Sequence, residues 1–312
     1  MKKKIIITGG LGFIGLSLVE KLSKKYEIII IDRAKKKLQG KKLKIVRCDI
    51  TYLKSLNRLK VKNVYCLIHL AGQSSGPRSY DIPEKDLKLN LLSTINIVNF
   101  YKAKKIKKII FASTFTVYGD TTSKKINENE KCDPKSFYGL SKLASERYLA
   151  KLSEKYKLKW NVLRFFNVYG PGQDLSRKDQ GIVSIFLDLI RNNTRINVKG
   201  SLNRFRDLVY IDDVVNALEL IIKDKKNYNQ IYNVGTGKKT TIKQLIKLVS
   251  KVYNKENKIK VRVTQSTPGD MMGCYADLNK IKKDLKFLPK VSLLKGITKF
   301  KNWAEINFYK KD

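Results

Sequence analysis

Ile5-Ile6-Ile7-Thr8-Gly9-Gly10-Leu11-Gly12-Phe13-Ile14-Gly15 runs from three β-branched residues into a glycine-rich turn and out into an amphipathic stretch. That order reads as strand, tight turn, helix start. Gly9, Gly12 and Gly15 are spaced GxxGxxG. Glycines let the backbone turn sharply and approach a pyrophosphate, whose charge the helix N-terminus then meets. Seventeen residues after Gly15, Asp32 closes the run Glu27-Ile28-Ile29-Ile30-Ile31-Asp32. A carboxylate at the end of the second strand accepts hydrogen bonds from both hydroxyls of an adenosine ribose and repels a 2′-phosphate. Together the two features predict NAD in preference to NADP, with Arg33 beside the acid as the residue that argues the other way.

Outward from this turn, short β-branched runs at 4–8, 27–32, 44–47, 64–70, 109–113 and 160–166 alternate with helical patterns at 13–25, 86–103 and 138–156. Such alternation predicts an α/β chain built on a Rossmann-type doubly wound parallel sheet. After Phe166 the pattern turns irregular, broken by Gly170-Pro171-Gly172, and the stretches 208–211 and 230–233 read as strands returning to the sheet. The expected layout is an NAD-binding domain over 1–166, rejoined by 208–232, with a smaller C-terminal α/β substrate-binding domain from 167–207 and 233–312.

Bulk properties narrow the function classes. The net charge is +39, but 54 of the 66 basic residues are Lys, scattered in pairs and triplets along the chain. Base readout and bidentate phosphate grip favour Arg, so the charge reads as a solvated lysine surface and not as a nucleic-acid-binding arm. Three isoleucines after Met1-Lys2-Lys3-Lys4 are too few for a leader's apolar core, and no run approaches the ~18 residues of a membrane span. Cys48, Cys66, Cys132 and Cys274 form no CxxC pair, and His69 is the single histidine. The expectation is a reduced, cytoplasmic, metal-free protein without membrane insertion.

Ser136-Phe137-Tyr138-Gly139-Leu140-Ser141-Lys142 sets Tyr138 and Lys142 four apart, on one face of a helix. A phenol with a pKa near ~10 is a poor base at neutral pH. A neighbouring ammonium and the positive ring of NAD⁺ favour the phenolate. The glycine turn, this YxxxK, Arg164-Phe165-Phe166-Asn167-Val168-Tyr169-Gly170, Arg206-Asp207-Leu208-Val209-Tyr210-Ile211-Asp212-Asp213 and Tyr232-Asn233-Val234-Gly235 follow one another along the chain. As a set they resemble the extended short-chain dehydrogenase/reductases that act on nucleotide sugars, most of all the UDP-hexose 4-epimerases.

The resemblance implies roles residue by residue. Thr114 holds the sugar hydroxyl, Tyr138 is the base and Lys142 grips the nicotinamide ribose. Gly9, Gly12, Phe13, Ile14, Gly15, Asp32, Asp49, Ile50, Leu70, Ala71, Gly72, Asn90 and Phe166 line the cofactor with them. On the substrate side stand Ser74, Ser75, Asn167, Arg206, Asp270 and Cys274. Ser74 and Ser75 are open equally to turn duty, Asn167 to loop capping, Arg206 to an ion pair with Asp207 or Asp212, and Cys274 to plain packing. His69 reads as packing. The helices at 86–103 and 138–156 resemble those that pair in a homodimer.

The stretch Ser113-Thr114-Phe115-Thr116-Val117-Tyr118-Gly119 bears on the reaction. The 4,6-dehydratases of the resembled group carry an Asp-Glu pair directly after the catalytic Thr, for acid and base work in eliminating water. Here those positions are Phe115 and Thr116. The stretch therefore fits inversion at C4 of a nucleotide-diphosphate hexose through a 4-keto intermediate, with UDP-glucose/galactose or their N-acetyl forms as expected substrates. The nearest alternative is a nucleotide-sugar 4-ketoreductase, and a more distant one a non-catalytic NAD-binding or nucleic-acid-associated protein. One departure stands out: Thr267-Pro268-Gly269-Asp270 occupies the place of an Arg-x-Gly-Asp motif, without its Arg.

Overall fold

A computed structural model describes residues 2–35, 43–121, 125–193, 195–266 and 271–309. Seven strands form the central sheet: β1 Lys4–Thr8, β2 Glu27–Asp32, β3 Leu43–Arg47, β4 Val64–His69, β5 Ile109–Thr114, β6 Trp160–Phe165 and β7 Gln230–Val234. They lie in the order β7-β6-β5-β4-β1-β2-β3, and every neighbouring pair is parallel. The sequence order reverses at β1, and in doubly wound sheets ligands bind outside the carboxyl ends of the strands at such a point.

Isoleucine runs suit this position because both faces of the sheet are covered. Ile5, Ile6, Ile7, Ile28, Ile30 and Ile31 are wholly buried. Each contributes roughly 1.5–3 kcal/mol relative to an exposed side chain. One face packs against α1 Phe13–Ser23, through Leu18, Val19 and Leu22, and against the helix Ile211–Lys223, through Val214 and Leu218. The other face takes Ile97, Val98 and Phe100 from the helix Ser93–Ala103 and Leu149 from the helix Phe137–Tyr156.

Two sequence expectations are corrected. Leu208–Tyr210 does not return to the central sheet; it pairs in parallel with Asn167–Tyr169 in a separate ribbon. Its three residues lead at once into the helix Ile211–Lys223, so only that helix and β7 come back to the sheet. The helix expected over 86–103 is interrupted: a short helix Pro83–Leu87 passes through a π-turn, Lys88–Leu92, before Ser93–Ala103. A widened turn of this kind changes which residues face inward, and Asn90 lies within it, buried.

Beyond β6 the smaller part of the chain is built from short ribbons, Arg195–Lys199 with Lys260–Thr264 and Phe205–Arg206 with Thr240–Thr241, and from the helices Ile182–Asn192, Ile242–Val252 and Leu293–Ala304. Their apolar faces continue one of the sheet's two cores. Among the described residues no helix is long and apolar enough to cross a membrane, and no group of His, Cys, Asp or Glu has the makings of a metal site.

Candidate active site

The carboxyl end of β1 opens into the glycine turn. Gly9 has φ +68°, and a Cβ on Gly15 would sit 2.3 Å from the Gly9 carbonyl oxygen, so the turn closes only with glycine there. Gly12 caps α1 from an extended conformation, Phe13 and Ile14 begin that helix, and its first turn contains no acid. The N–H groups there would meet an anion with no acid of the helix's own first turn competing. Asp32, at the end of β2, accepts hydrogen bonds from the backbone N–H of Leu11 and of Ala34, both at 3.0 Å, which ties it to the turn. Further along the same edge, Asp49 accepts from the N–H and hydroxyl of Thr51, and the buried Ile50 gives its carbonyl to Asn96. Leu70, Ala71 and Gly72 follow β4, and a Cβ on Gly72 would lie 2.5 Å from Asn90 Oδ1.

Thr114 ends β5 and caps a 3₁₀ turn over Phe115–Val117, its Oγ1 accepting from Thr116 N–H at 3.2 Å. Ser136 caps the helix Phe137–Tyr156 by accepting from Gly139 N–H, which sets Tyr138 in its first turn. A Cβ on Gly139 would come within 2.8 Å of the Thr116 carbonyl oxygen, so helix and turn seat directly on each other. The Thr114 hydroxyl lies close enough to the Tyr138 phenol to draw its pKa down. Lys142 is buried, with its ammonium 4.0 Å from the centre of the Phe111 ring. Among the described residues nothing hydrogen-bonds that ammonium. Phe115 stacks on Phe166 with ring centres 5.4 Å apart, and the Thr116 hydroxyl is 3.1 Å from that of Thr114. The sheet end thus brings Thr114, Tyr138 and Lys142 together, with no acid at the two positions after Thr114.

The family model described as the NAD dependent epimerase/dehydratase family matches residues 5–235. The chain belongs to that family. The putative UDP-glucose 4-epimerase of Methanocaldococcus jannaschii is 33% identical over 97% of this chain and 99% of the relative. The dTDP-4-dehydro-6-deoxyglucose reductase of Escherichia coli is 31% identical, with 96% of each covered. Among solved structures, the UDP-glucose 4-epimerase of Thermotoga maritima with UDP-glucose superposes with a TM-score of 0.89 at 30% identity, covering 97% of this chain and 99% of that one.

The family's cofactor is NAD, and the residues in place fit it. The glycine cradle leaves no room for side chains, Asn90 Oδ1 is buried without a hydrogen-bond partner, and the Lys142 ammonium is likewise unpartnered among the described residues. Burial pushes the Tyr138 phenol up to about 12, the Thr114 hydroxyl draws it back, and Asp86 pushes it up again. Burial brings Lys142 down to about 7 against the fields of Glu146 and Asp86, which hold it up.

On the substrate side the placements differ. Asn167 Oδ1 is buried without a partner. Arg206 donates to the Phe205 and Met271 carbonyls at 2.8 and 3.1 Å. Burial, then the charge of Arg204, lower its pKa to about 10. Asp207 accepts from Thr236, Gly237 and Ala276, and Asp212 pairs with Lys299. Cys274 is buried in one apolar cluster with Phe115, Leu143, Phe166 and Met271. Ser75 caps the helix Gly76–Asp81 and donates to the Asp179 carbonyl, while Ser74 bonds the Gln180 side chain; both strap one loop to another. Asp270 and the sequence around it lie outside the described residues.

Sequence reading missed two buried clusters behind the triad. Asp86 accepts from Gln73, Asn90 and Ser141. Glu146 takes a forked pair of bonds from Arg164 and one from Ser113. A signal was present, because Asp86 is four residues before Asn90 and Glu146 four after Lys142, the spacing that stacks side chains on one helix face.

Proposed function

We propose that the chain is an NAD-dependent 4-epimerase of a nucleotide-diphosphate hexose, UDP-glucose/UDP-galactose or their N-acetyl forms. The observation that carries this reading is the aromatic and hydroxyl pair, Phe115 and Thr116, after Thr114. Elimination of water needs an acid and a base at the sugar. The buried carboxylates nearest the triad, Asp86 and Glu146, are saturated by other side chains, and neither is offered to a sugar.

In this reading Thr114 and Tyr138 share the 4-hydroxyl, and Tyr138 as phenolate takes its proton. Bound NAD supplies a reversible acceptor for the C4 hydride, leaving no net redox change. Lys142 holds its positive charge beneath the site, which favours the phenolate. The Phe115–Phe166 stack and Cys274 form an apolar wall that allows the keto sugar to turn. Asn167 and Arg206 tether the diphosphate. C4 then takes its hydride back on the opposite face, and its oxygen takes the proton back from Tyr138.

Purified protein, with no cofactor added, is to be incubated with each of the four UDP-sugars and the products resolved by anion exchange. Interconversion of a C4 pair without accumulation of NADH is the expected result, and Tyr138→Phe should lower the rate by roughly 10³-fold or more, on the order expected for loss of a base acting with its partners. Consumption of NADPH by a 4-keto sugar without C4 interconversion would instead favour the reductase, which the 31% identical relative keeps in view. The four cysteines are unbridged, in keeping with a cytoplasmic enzyme. The protein is further proposed to act as a homodimer through the outer faces of the helices Ser93–Ala103 and Phe137–Tyr156.

A further inference from the structure

Asp86 is a wholly buried acid on the short helix Pro83–Leu87. Its Oδ1 accepts from Gln73 Nε2 at 2.7 Å and from Asn90 Nδ2 at 3.1 Å; its Oδ2 accepts from Ser141 Oγ at 2.5 Å. Asn90 Nδ2 also reaches Ser141 Oγ at 3.1 Å. The three donors come from the loop after β4, the π-turn and the helix that carries Tyr138 and Lys142. Ser141 stands directly before Lys142, and its hydroxyl lies 3.1 Å from the Tyr138 carbonyl. One carboxylate therefore clasps the proton-transferring helix to the loop at the cofactor edge.

The balance of charge gives the clasp a second part. Lys142 faces Asp86 from the short helix, Glu146 from its own helix, His69 from the end of β4 and the Phe111 ring from β5. Glu146 exerts the larger field on Lys142, yet it is bonded to Arg164, both side chains less than a twentieth exposed, so its charge is shared with a second cation. His69 is neutral at physiological pH, with burial and then the Lys142 charge lowering its pKa to about 3. Asp86 is bonded by neutral donors alone, so of the two carboxylates it is the one without a second cation among the described residues. An unbalanced ammonium at this depth gives up its proton.

We propose that Asp86 is a positioning residue that acts as counterion to Lys142 and clasps the helix bearing Tyr138 to the cofactor edge, thereby setting the alkaline limit of the reaction. This rests on the reading of Tyr138 and Lys142 as base and ammonium. Asp86→Asn keeps the shape: the introduced amide nitrogen can donate to Ser141 Oγ, which then donates to the Tyr138 carbonyl.

The test compares holoenzymes of the wild type, Asp86→Asn and Ser141→Ala. The Lys142 ammonium is followed by ¹³Cε-lysine NMR, its resonance assigned by loss in Lys142→Ala. In Asp86→Asn its titration midpoint should fall by about one pH unit or more, a roughly tenfold or larger change in proton affinity. The alkaline limb of kcat should move to lower pH by a similar amount. Ser141→Ala, which removes a hydrogen bond and keeps the charge, should lower the rate at every pH and leave both midpoints in place. An unchanged Lys142 midpoint in Asp86→Asn would overturn the proposal, as would a uniform rate loss without a shift of the limb. If Asp86→Asn does not fold, Asp86→Ser, with room for a water among the three donors, is read in the same way. NMR reads the ammonium without turnover, so it decides the matter even if the wild type fails to interconvert C4 epimers and the epimerase reading falls alone.

Discussion

His69 lies at the carboxyl end of β4, where chemistry gathers in this fold, yet it takes no part in it. Its Nδ1 meets the Thr8 hydroxyl at 2.7 Å and its Nε2 the Thr94 hydroxyl at 3.3 Å, in full burial. Sequence reading expected packing here, and the hydroxyl partners at both nitrogens make it a polar peg between β1, β4 and the helix Ser93–Ala103. Burial, then the field of Lys142, lower its pKa from 6.5 to about 3. Between those two values the unfolded chain binds the proton and the folded chain does not, so stability rises with pH there and is lost as pH falls. The contribution is up to about 5 kcal/mol between neutral pH and pH 3. Denaturant unfolding across pH 7 to 4 should therefore show a steep acid loss, and His69→Gln, though less stable at pH 7, should show a flatter one. Parallel slopes would mean that other groups govern the acid limb.

At the scale of elements, legibility followed the range of the signal. β1, the glycine turn, α1 and β2 are local patterns, and the sequence boundaries 4–8 and 27–32 coincide with Lys4–Thr8 and Glu27–Asp32. The π-turn at Lys88–Leu92 was not legible, because Asn90 within it is held by Asp86 and by Ser141, the latter from the helix Phe137–Tyr156. The pairing of Leu208–Tyr210 with Asn167–Tyr169 was hidden for a similar reason: an apolar run of three residues does not say which edge it will meet. In the candidate site, Thr114, Tyr138 and Lys142 could be named from motif spacing, whereas the partners that hold the carboxylates behind them, Gln73 and Ser141 for Asp86 and Arg164 for Glu146, required the packed structure. Seating of the Tyr138 helix on the 3₁₀ turn gives a test at this scale. A Cβ on Gly139 would press on the Thr116 carbonyl and on Pro134, at 2.8 Å from each. Gly139→Ala should cost about 1–3 kcal/mol in thermal or denaturant unfolding. It should also lower kcat by roughly tenfold or more, since a shift of about 1 Å between Thr114 and Tyr138 is enough to do so. Full activity at reduced stability would show that the seat serves folding alone.

For the whole molecule, the helix Phe137–Tyr156 has two faces. Lys142, Ser145, Glu146 and Leu149 turn inward, while Phe137, Leu140 and Tyr148 lie outside at 44%, 53% and 49% exposure. Leu87 and Leu92, on the preceding segment, are 54% and 38% exposed. Phe137, Leu140 and Tyr148 follow helical spacing, so they make one apolar stripe in a chain whose surface is otherwise rich in lysine. A stripe of this kind is costly to leave in water, and in the homodimer proposed above a second copy would supply the matching face. A net charge of +39 on each protomer opposes the pairing. Repulsion between such surfaces is screened over about 8 Å at physiological ionic strength and over about 30 Å at 0.01 M. Light scattering should then find a dimer at about 0.15 M salt that loosens at about 0.01 M, the reverse of an association driven by ion pairs. Leu140→Glu with Tyr148→Glu should yield a monomer at both ionic strengths. Because those side chains point away from Tyr138 and Lys142, the monomer should still bind NAD within about threefold of the wild type. A dimer that persists in the double variant would move the interface elsewhere, and one that tightens as salt is withdrawn would show that opposite charges, not the apolar stripe, hold the copies together.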